Sequence, residues 1–180
     1  MIEKAVCNAS PLIFLAKINK LNLLEGYTLY VPTQVRAEIQ KGFVSKKENT
    51  GQIIEFIESN NIEVVRVTLL KNLPDSLGSG EKAVISLALK TGIKRVLIDE
   101  AKARIVARFK GLYPRGTLGI LWNAFKDGAI DRKTLELTTF DLIQGGVSHK
   151  RGNSCRIFKE TEGVNVRQLI LYNKLLNSFL

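Results

Sequence analysis

The feature that most restricts what this chain can fold into is a regular alternation. Short runs rich in apolar and β-branched residues are each followed by a segment with helical spacing. The β-type runs cover residues 4–8, 28–31, 62–68, 95–98 and 112–114. Ser10-Pro11 reads as an N-cap followed by proline at the first helical position, and Leu12, Leu15, Ala16 and Leu23 continue near a 3.6 period until Gly26. Pro32-Thr33 opens a second helix carrying Val35 and Ile39 and ending at Gly42, and Ile53, Ile54, Phe56 and Ile57 mark a third after a polar loop over 45–51. Gly80-Glu81 leads into a helix with Ala83, Val84, Leu87 and Ala88 on one face and Gly92 at its end. Residues 101–110 are helical up to Gly111, and residues 116–119 read as a turn before helices over 120–126 and 133–144. Strands separated by helices pair in parallel through right-handed crossovers. The sequence therefore predicts an α/β fold whose sheet is covered on both faces.

Composition narrows the chemistry. A length of 180 residues suits one core, and 45% hydrophobic with 24% charged residues is the balance of a folding domain. The only histidine is His149 and the only thiols are Cys7 and Cys155, too few for a structural zinc site. Triad catalysis would have to recruit His149 from a basic stretch near the C-terminus, so catalytic chemistry must rest on carboxylates. Two distant cysteines suit a reducing compartment. No apolar run approaches the ~20 residues needed to cross a bilayer, and Asn8, Ser10 and Pro11 interrupt the faintly leader-like residues 5–16. A cytoplasmic location without membrane attachment is expected. The net charge of +10 is concentrated in the second half, the part better suited to a polyanion.

In an open parallel sheet, ligands sit outside the carboxyl ends of the strands. Asn8 ends the first strand and Asp99-Glu100 the fourth, which makes them site candidates. Each acid also has an ordinary structural use. Asp99 ahead of a helix is a good N-cap, worth ~1 kcal/mol. Glu81 in a first helical turn is favoured by the helix dipole at ~0.3–1 kcal/mol. Glu38 borders an apolar helix face, where a solvated flank is the plain reading.

Five blocks occur in order: Asn8-Ala9-Ser10-Pro11-Leu12-Ile13; Val31-Pro32 with Glu38-Ile39; Leu77-Gly78-Ser79-Gly80-Glu81 before an Ala/Leu-rich helix; Leu97-Ile98-Asp99-Glu100 with Ala103-Arg104; and Gly116-Thr117-Leu118-Gly119-Ile120-Leu121. Together they resemble a PIN domain, in particular a prokaryotic branch of unknown function, over about residues 4–146. The resemblance implies a three-layer α/β/α sandwich on a parallel sheet of four or five strands, with residues 1–146 as the domain and 147–180 as a tail. It also implies a metal-dependent ribonuclease, in many prokaryotic members a VapC-type toxin restrained by an antitoxin, with a homodimer expected. Carried across block by block, the catalytic acids fall on Glu38, Glu81 and Asp99. The metal set becomes Asn8, Glu38, Glu81, Asp99 and Glu100. Ser10 falls near the metal by the same match.

The chemistry of such a cluster is direct. Two carboxylates ~5 Å apart repel by roughly 3 kcal/mol at an effective dielectric near 20, so three together call for a cation. Oxygen ligands suit Mg²⁺ or Mn²⁺, which would activate a water and neutralise charge on a phosphodiester. The chain departs from the family at Asn8, where most PIN domains carry Asp. An amide oxygen coordinates but adds no charge, so the alternative is a weak or inactive PIN fold that binds RNA or a protein. A third possibility, an unrelated α/β phosphotransfer or phosphatase domain, is disfavoured by the lack of a suitably placed Asp-x-Asp motif. Lys102, Arg104 and Arg108 are candidates for RNA phosphates, with 104 and 108 one helical turn apart. In the tail, Val166, Leu169, Ile170, Leu176 and Phe179 lie at roughly helical spacing, as for a terminal helix or a partner contact.

Overall fold

The computed structural model describes residues 2–45, 49–60 and 62–143. The expectations for Gln144 onward, including His149, Cys155 and the apolar spacing of Val166 to Leu180, lie outside the described residues. Five parallel strands form one sheet in the order β3-β2-β1-β4-β5. They are β1 (Glu3–Cys7), β2 (Tyr27–Pro32), β3 (Glu63–Val65), β4 (Arg95–Leu97) and β5 (Tyr113–Arg115). Between and after them run α1 (Ala9–Lys17), α2 (Thr33–Val44), α3 (Thr50–Ser59), α4 (Ser79–Thr91), α5 (Ala101–Phe109), α6 (Thr117–Lys126) and α7 (Arg132–Ile143).

β1 is central, and its Ala5, Val6 and Cys7 have no exposed surface because helices cover both sides of it. From β1 the chain steps outward to β2 and β3, then returns across the sheet to β4 and β5. Right-handed crossovers in opposite directions place their helices on opposite faces, which gives the sandwich. α4 crosses behind β1, β2 and β4, and Ala83 to Ala88 are all buried. The one hydroxyl in that run, Ser86 Oγ, accepts the Leu70 N–H at 3.0 Å. No helix among the described residues is long and apolar enough to cross a membrane.

Several boundaries differ from the sequence reading. The first helix begins at Ala9, with Asn8 at the N-cap position, so Pro11 is its third residue; an N–H there has no helical acceptor anyway, and proline costs little. It stops at Lys17 rather than reaching Leu23, because Asn19 turns left-handed (φ 53°) and Leu21–Leu24 form a separate 3₁₀ turn. Residues 116–119 are not a free turn: Gly116 is the N-cap of α6, and Thr117 is its first residue. β3 keeps only three of the seven expected residues, and α2 runs past Gly42 to Val44.

Candidate functional site

β1 and β4 are neighbours at the centre of the sheet, yet the chain leaves them toward opposite faces. The crevice at their carboxyl edge is where the loops part, and this is the place where parallel sheets admit ligands. Asn8 and Asp99 enter it from the two strands, and the Asn8 N–H donates to Leu97 O at 3.0 Å, extending the ladder to the rim.

Asparagine is among the best capping side chains, but Asn8 makes no capping bond to the helix it begins. Its side chain is buried, with the residue 4% exposed, and its Oδ1 has no hydrogen-bond partner. An unsatisfied buried acceptor costs about 1–3 kcal/mol, so native structures hold few of them. Gly80 explains how this one arises. A Cβ at that position would meet Glu38 Oε2 at 3.0 Å and Asn8 Oδ1 at 3.1 Å. The absent side chain lets two oxygens, one from the start of α1 and one from the exposed side of α2, close on a single point. An amide oxygen and a carboxylate oxygen are both acceptors. Such a gap calls for donors or a cation.

Asp99 does not cap α5, contrary to its ordinary structural use. Glu100 holds the N-cap position, without a side-chain cap bond. Asp99 instead reaches the first residue of α6, where its Oδ1 accepts the Thr117 N–H and its Oδ2 accepts the Thr117 hydroxyl, both at 2.7 Å. The positive end of α6 favours a carboxylate there. Burial pushes the Asp99 carboxyl above its ordinary value, opposed by the Thr117 N–H, the Thr117 hydroxyl and the charge of Arg104. A Cβ on Gly116 would meet Arg104 Nη1 at 2.9 Å and Asp99 Oδ1 at 3.0 Å, so glycine is what admits the guanidinium. Burial lowers the Arg104 pKa; Asp99 and Glu100 raise it and Arg108 lowers it further. Beneath the site, burial and then the Asp99 charge push the Cys7 thiol far up, leaving an inert sulfhydryl.

The structure thus brings together Asn8 with Glu38, and Asp99 with Thr117 and Arg104. Glu81 is turned to its own helix, where its Oε2 accepts the Gly78 N–H at 2.8 Å; this is half a capping box, since glycine offers no reciprocal side chain. Glu100 is exposed. Among the described residues, no three His, Cys, Asp or Glu side chains gather as a metal-holding group. The five-residue oxygen cluster expected from the sequence is therefore not assembled; a narrower pair, one amide and one carboxylate oxygen, is. That pair fits a hard divalent cation in donor chemistry and in its unsatisfied acceptor, and it falls short in negative charge.

The DUF3368 family model, described as a PIN domain, matches residues 4–153. The chain belongs to the PIN domain family. A solved structure, a domain of a functionally unknown protein from Methanocaldococcus jannaschii DSM 2661, resembles this PIN domain with 17% identity and a TM-score of 0.45, over 63% of this chain and 90% of that one. No curated protein matches the chain.

Of the remaining candidates of this PIN domain, Ser10 and Lys102 stand in the first turns of the helices that leave the rim, and Arg108 stands in the last turn of α5, away from it. Ser10 is the second residue of α1 and half-buried, Lys102 is the exposed second residue of α5, and Arg108 is exposed one turn beyond Arg104. Sequence reasoning gave no separate part to Gly80 or Thr117. The signal for Thr117 was a Gly-Thr step directly after a strand, which starts a helix as readily as it makes a turn. For Gly80 the signal was a second glycine two residues after Gly78, inside a helix where glycine is otherwise unfavourable.

Proposed function

We propose that this PIN domain is a divalent-metal-dependent endoribonuclease. The observation that supports it most is that the orphaned Asn8 Oδ1 and Glu38 Oε2 stand 3.1 and 3.0 Å from one point over Gly80, at the switch point of the sheet. Asn8 and Glu38 would hold the cation, and Asp99 is the anion on the other wall of the crevice. Mg²⁺ or Mn²⁺, when bound, supplies water activation and charge neutralisation for in-line attack on a phosphodiester. Thr117 fixes both oxygens of Asp99, which limits its rotation. Glu81 holds the start of α4, and with it the position of Gly80. Arg104 beside Asp99, with the exposed Lys102 and Arg108 on the helix that begins there, draws RNA phosphates toward the rim.

Labelled RNA incubated with Mg²⁺, with Mn²⁺ and with EDTA, alongside Asp99→Ala, tests this. Metal-dependent cleavage lost in the variant supports the enzyme. Retention of RNA without cleavage supports a second reading, an RNA-binding PIN fold that does not cut, which the neutral Asn8 favours. A toxin role with a cognate antitoxin belongs to the first reading. Its expected outcome is growth arrest on expression, relieved by co-expression of a small neighbouring gene product. The accompanying expectation of a homodimer is checked by light scattering.

A further inference from the structure

We infer that Asn8 makes cation uptake at this site depend on RNA: the Asn8–Glu38 oxygen pair over Gly80 holds a divalent ion firmly only when a phosphate of the bound strand completes its ligand set. This rests on the proposed cation site and goes beyond it, to the order in which the partners assemble.

The argument is one of charge and donor number. Mg²⁺ and Mn²⁺ want six oxygen donors and are bound through one or two carboxylates together with substrate phosphates. Here the position facing Glu38 is an amide: its Oδ1 is solvent-closed, unpartnered and 3.1 Å from the point that Glu38 Oε2 approaches at 3.0 Å. It offers a lone pair without a charge. The other nearby anion is already served. Asp99 accepts two hydrogen bonds from Thr117, and Arg104 Nη1 approaches the same point over Gly116 as Asp99 Oδ1. Glu81 caps α4, and among the described residues no third acid joins the pair. The empty protein therefore presents one free carboxylate and one amide, a weak trap for a hydrated divalent ion. A phosphodiester brings what is missing, an anionic oxygen donor, and the basic residues at the start of α5 attract it independently of metal. The coupling is reciprocal: whatever factor RNA adds to cation affinity, the cation adds to RNA affinity.

The test measures Mn²⁺ binding by electron paramagnetic resonance, with and without a short single-stranded 2′-O-methyl oligoribonucleotide that keeps its phosphate charge and resists cleavage. The wild type should bind Mn²⁺ weakly alone and at least tenfold more tightly with the oligonucleotide. A neutral methylphosphonate analogue should give no such gain. Asn8→Asp should bind Mn²⁺ at least tenfold more tightly than wild type in the absence of any oligonucleotide and gain less from adding it. Glu38→Gln, a change at an exposed position with its fold checked by circular dichroism, should weaken Mn²⁺ binding in the ternary mixture. Oligonucleotide affinity measured with and without Mn²⁺ should change by the same factor as the Mn²⁺ affinity. Tight Mn²⁺ binding by the wild type alone, equal to that of Asn8→Asp, overturns the inference and leaves the nuclease reading standing. An unchanged Glu38→Gln overturns the assignment of the ligand pair. Absence of Mn²⁺ binding in every mixture overturns the cation site itself, and the nuclease reading with it.

Discussion

Asp99 sits where burial and hydrogen bonding pull its carboxyl in opposite directions, and burial is the larger influence. The folded protein therefore holds this proton more tightly than the unfolded chain does. The stability that Asp99 contributes is complete below the ordinary value of 3.8 and is lost as pH rises toward the higher folded value. Asp99→Asn removes this dependence while keeping an oxygen for the Thr117 N–H. Urea midpoints of variant and wild type, compared from acid to neutral pH, should diverge in favour of the variant as pH rises; a constant difference would mean that Asp99 titrates alike in both states. The variant should lose metal-dependent cleavage throughout. Gly80→Ala probes the opposite wall. The new methyl would fall against Asn8 Oδ1 and Glu38 Oε2, so cation affinity should drop at least tenfold. Stability should move by less than about 1 kcal/mol, because the helix propensity of alanine offsets the crowding. Wild-type cation affinity in this variant would show that the gap over Gly80 is not the site.

At the scale of elements, the helix ends carry the conformational constraints. Gly92 closes α4 with φ 72°, and a Cβ there would meet nothing within 4 Å. Gly92→Ala should therefore cost about 1–2 kcal/mol from the left-handed backbone alone, read as a lowered denaturant midpoint with unchanged cleavage. Gly92 and Gly111 were legible as stops because glycine after an apolar period is a local signal, and the same holds for Asp99 at a strand end. What stayed hidden was set by single backbone conformations and by contacts distant in the chain. α1 ends at Lys17 although its apolar period runs on to Leu23, because Asn19 adopts a left-handed turn that periodicity does not register. The Gly116-Thr117 step resolves into a helix start through a hydrogen bond to Asp99, 18 residues away. Within the site, residue types were legible and directions were not: nothing local distinguishes Glu81 capping its helix from Glu81 facing the crevice, or Asn8 capping α1 from Asn8 turned into the gap.

At the scale of the whole molecule, the return of the chain from β3 across the sheet to β4 sets Asp99 beside the end of β1 and sends α5 away from the same rim. The site is thus contiguous with one of the most basic stretches of a chain carrying a net charge of +10. On the proposed function, RNA entering the crevice would meet Lys102 at the start of α5 and Arg108 farther along the same helix, both exposed, and each phosphate they neutralised would release counterions. For single strands the logarithm of affinity falls against the logarithm of salt with a slope of about −0.7 per phosphate contact. Removing both side chains, Lys102→Ala with Arg108→Ala, should therefore make the slope shallower by about 1.4 and weaken binding most at low salt. Fluorescence anisotropy of a labelled single-stranded RNA in EDTA, titrated across salt concentrations, measures this without cleavage. Affinity that falls with no change in slope would mean that these side chains act through the fold of α5 and not through phosphate contact, and the entry path for RNA would then lie along another side of the crevice.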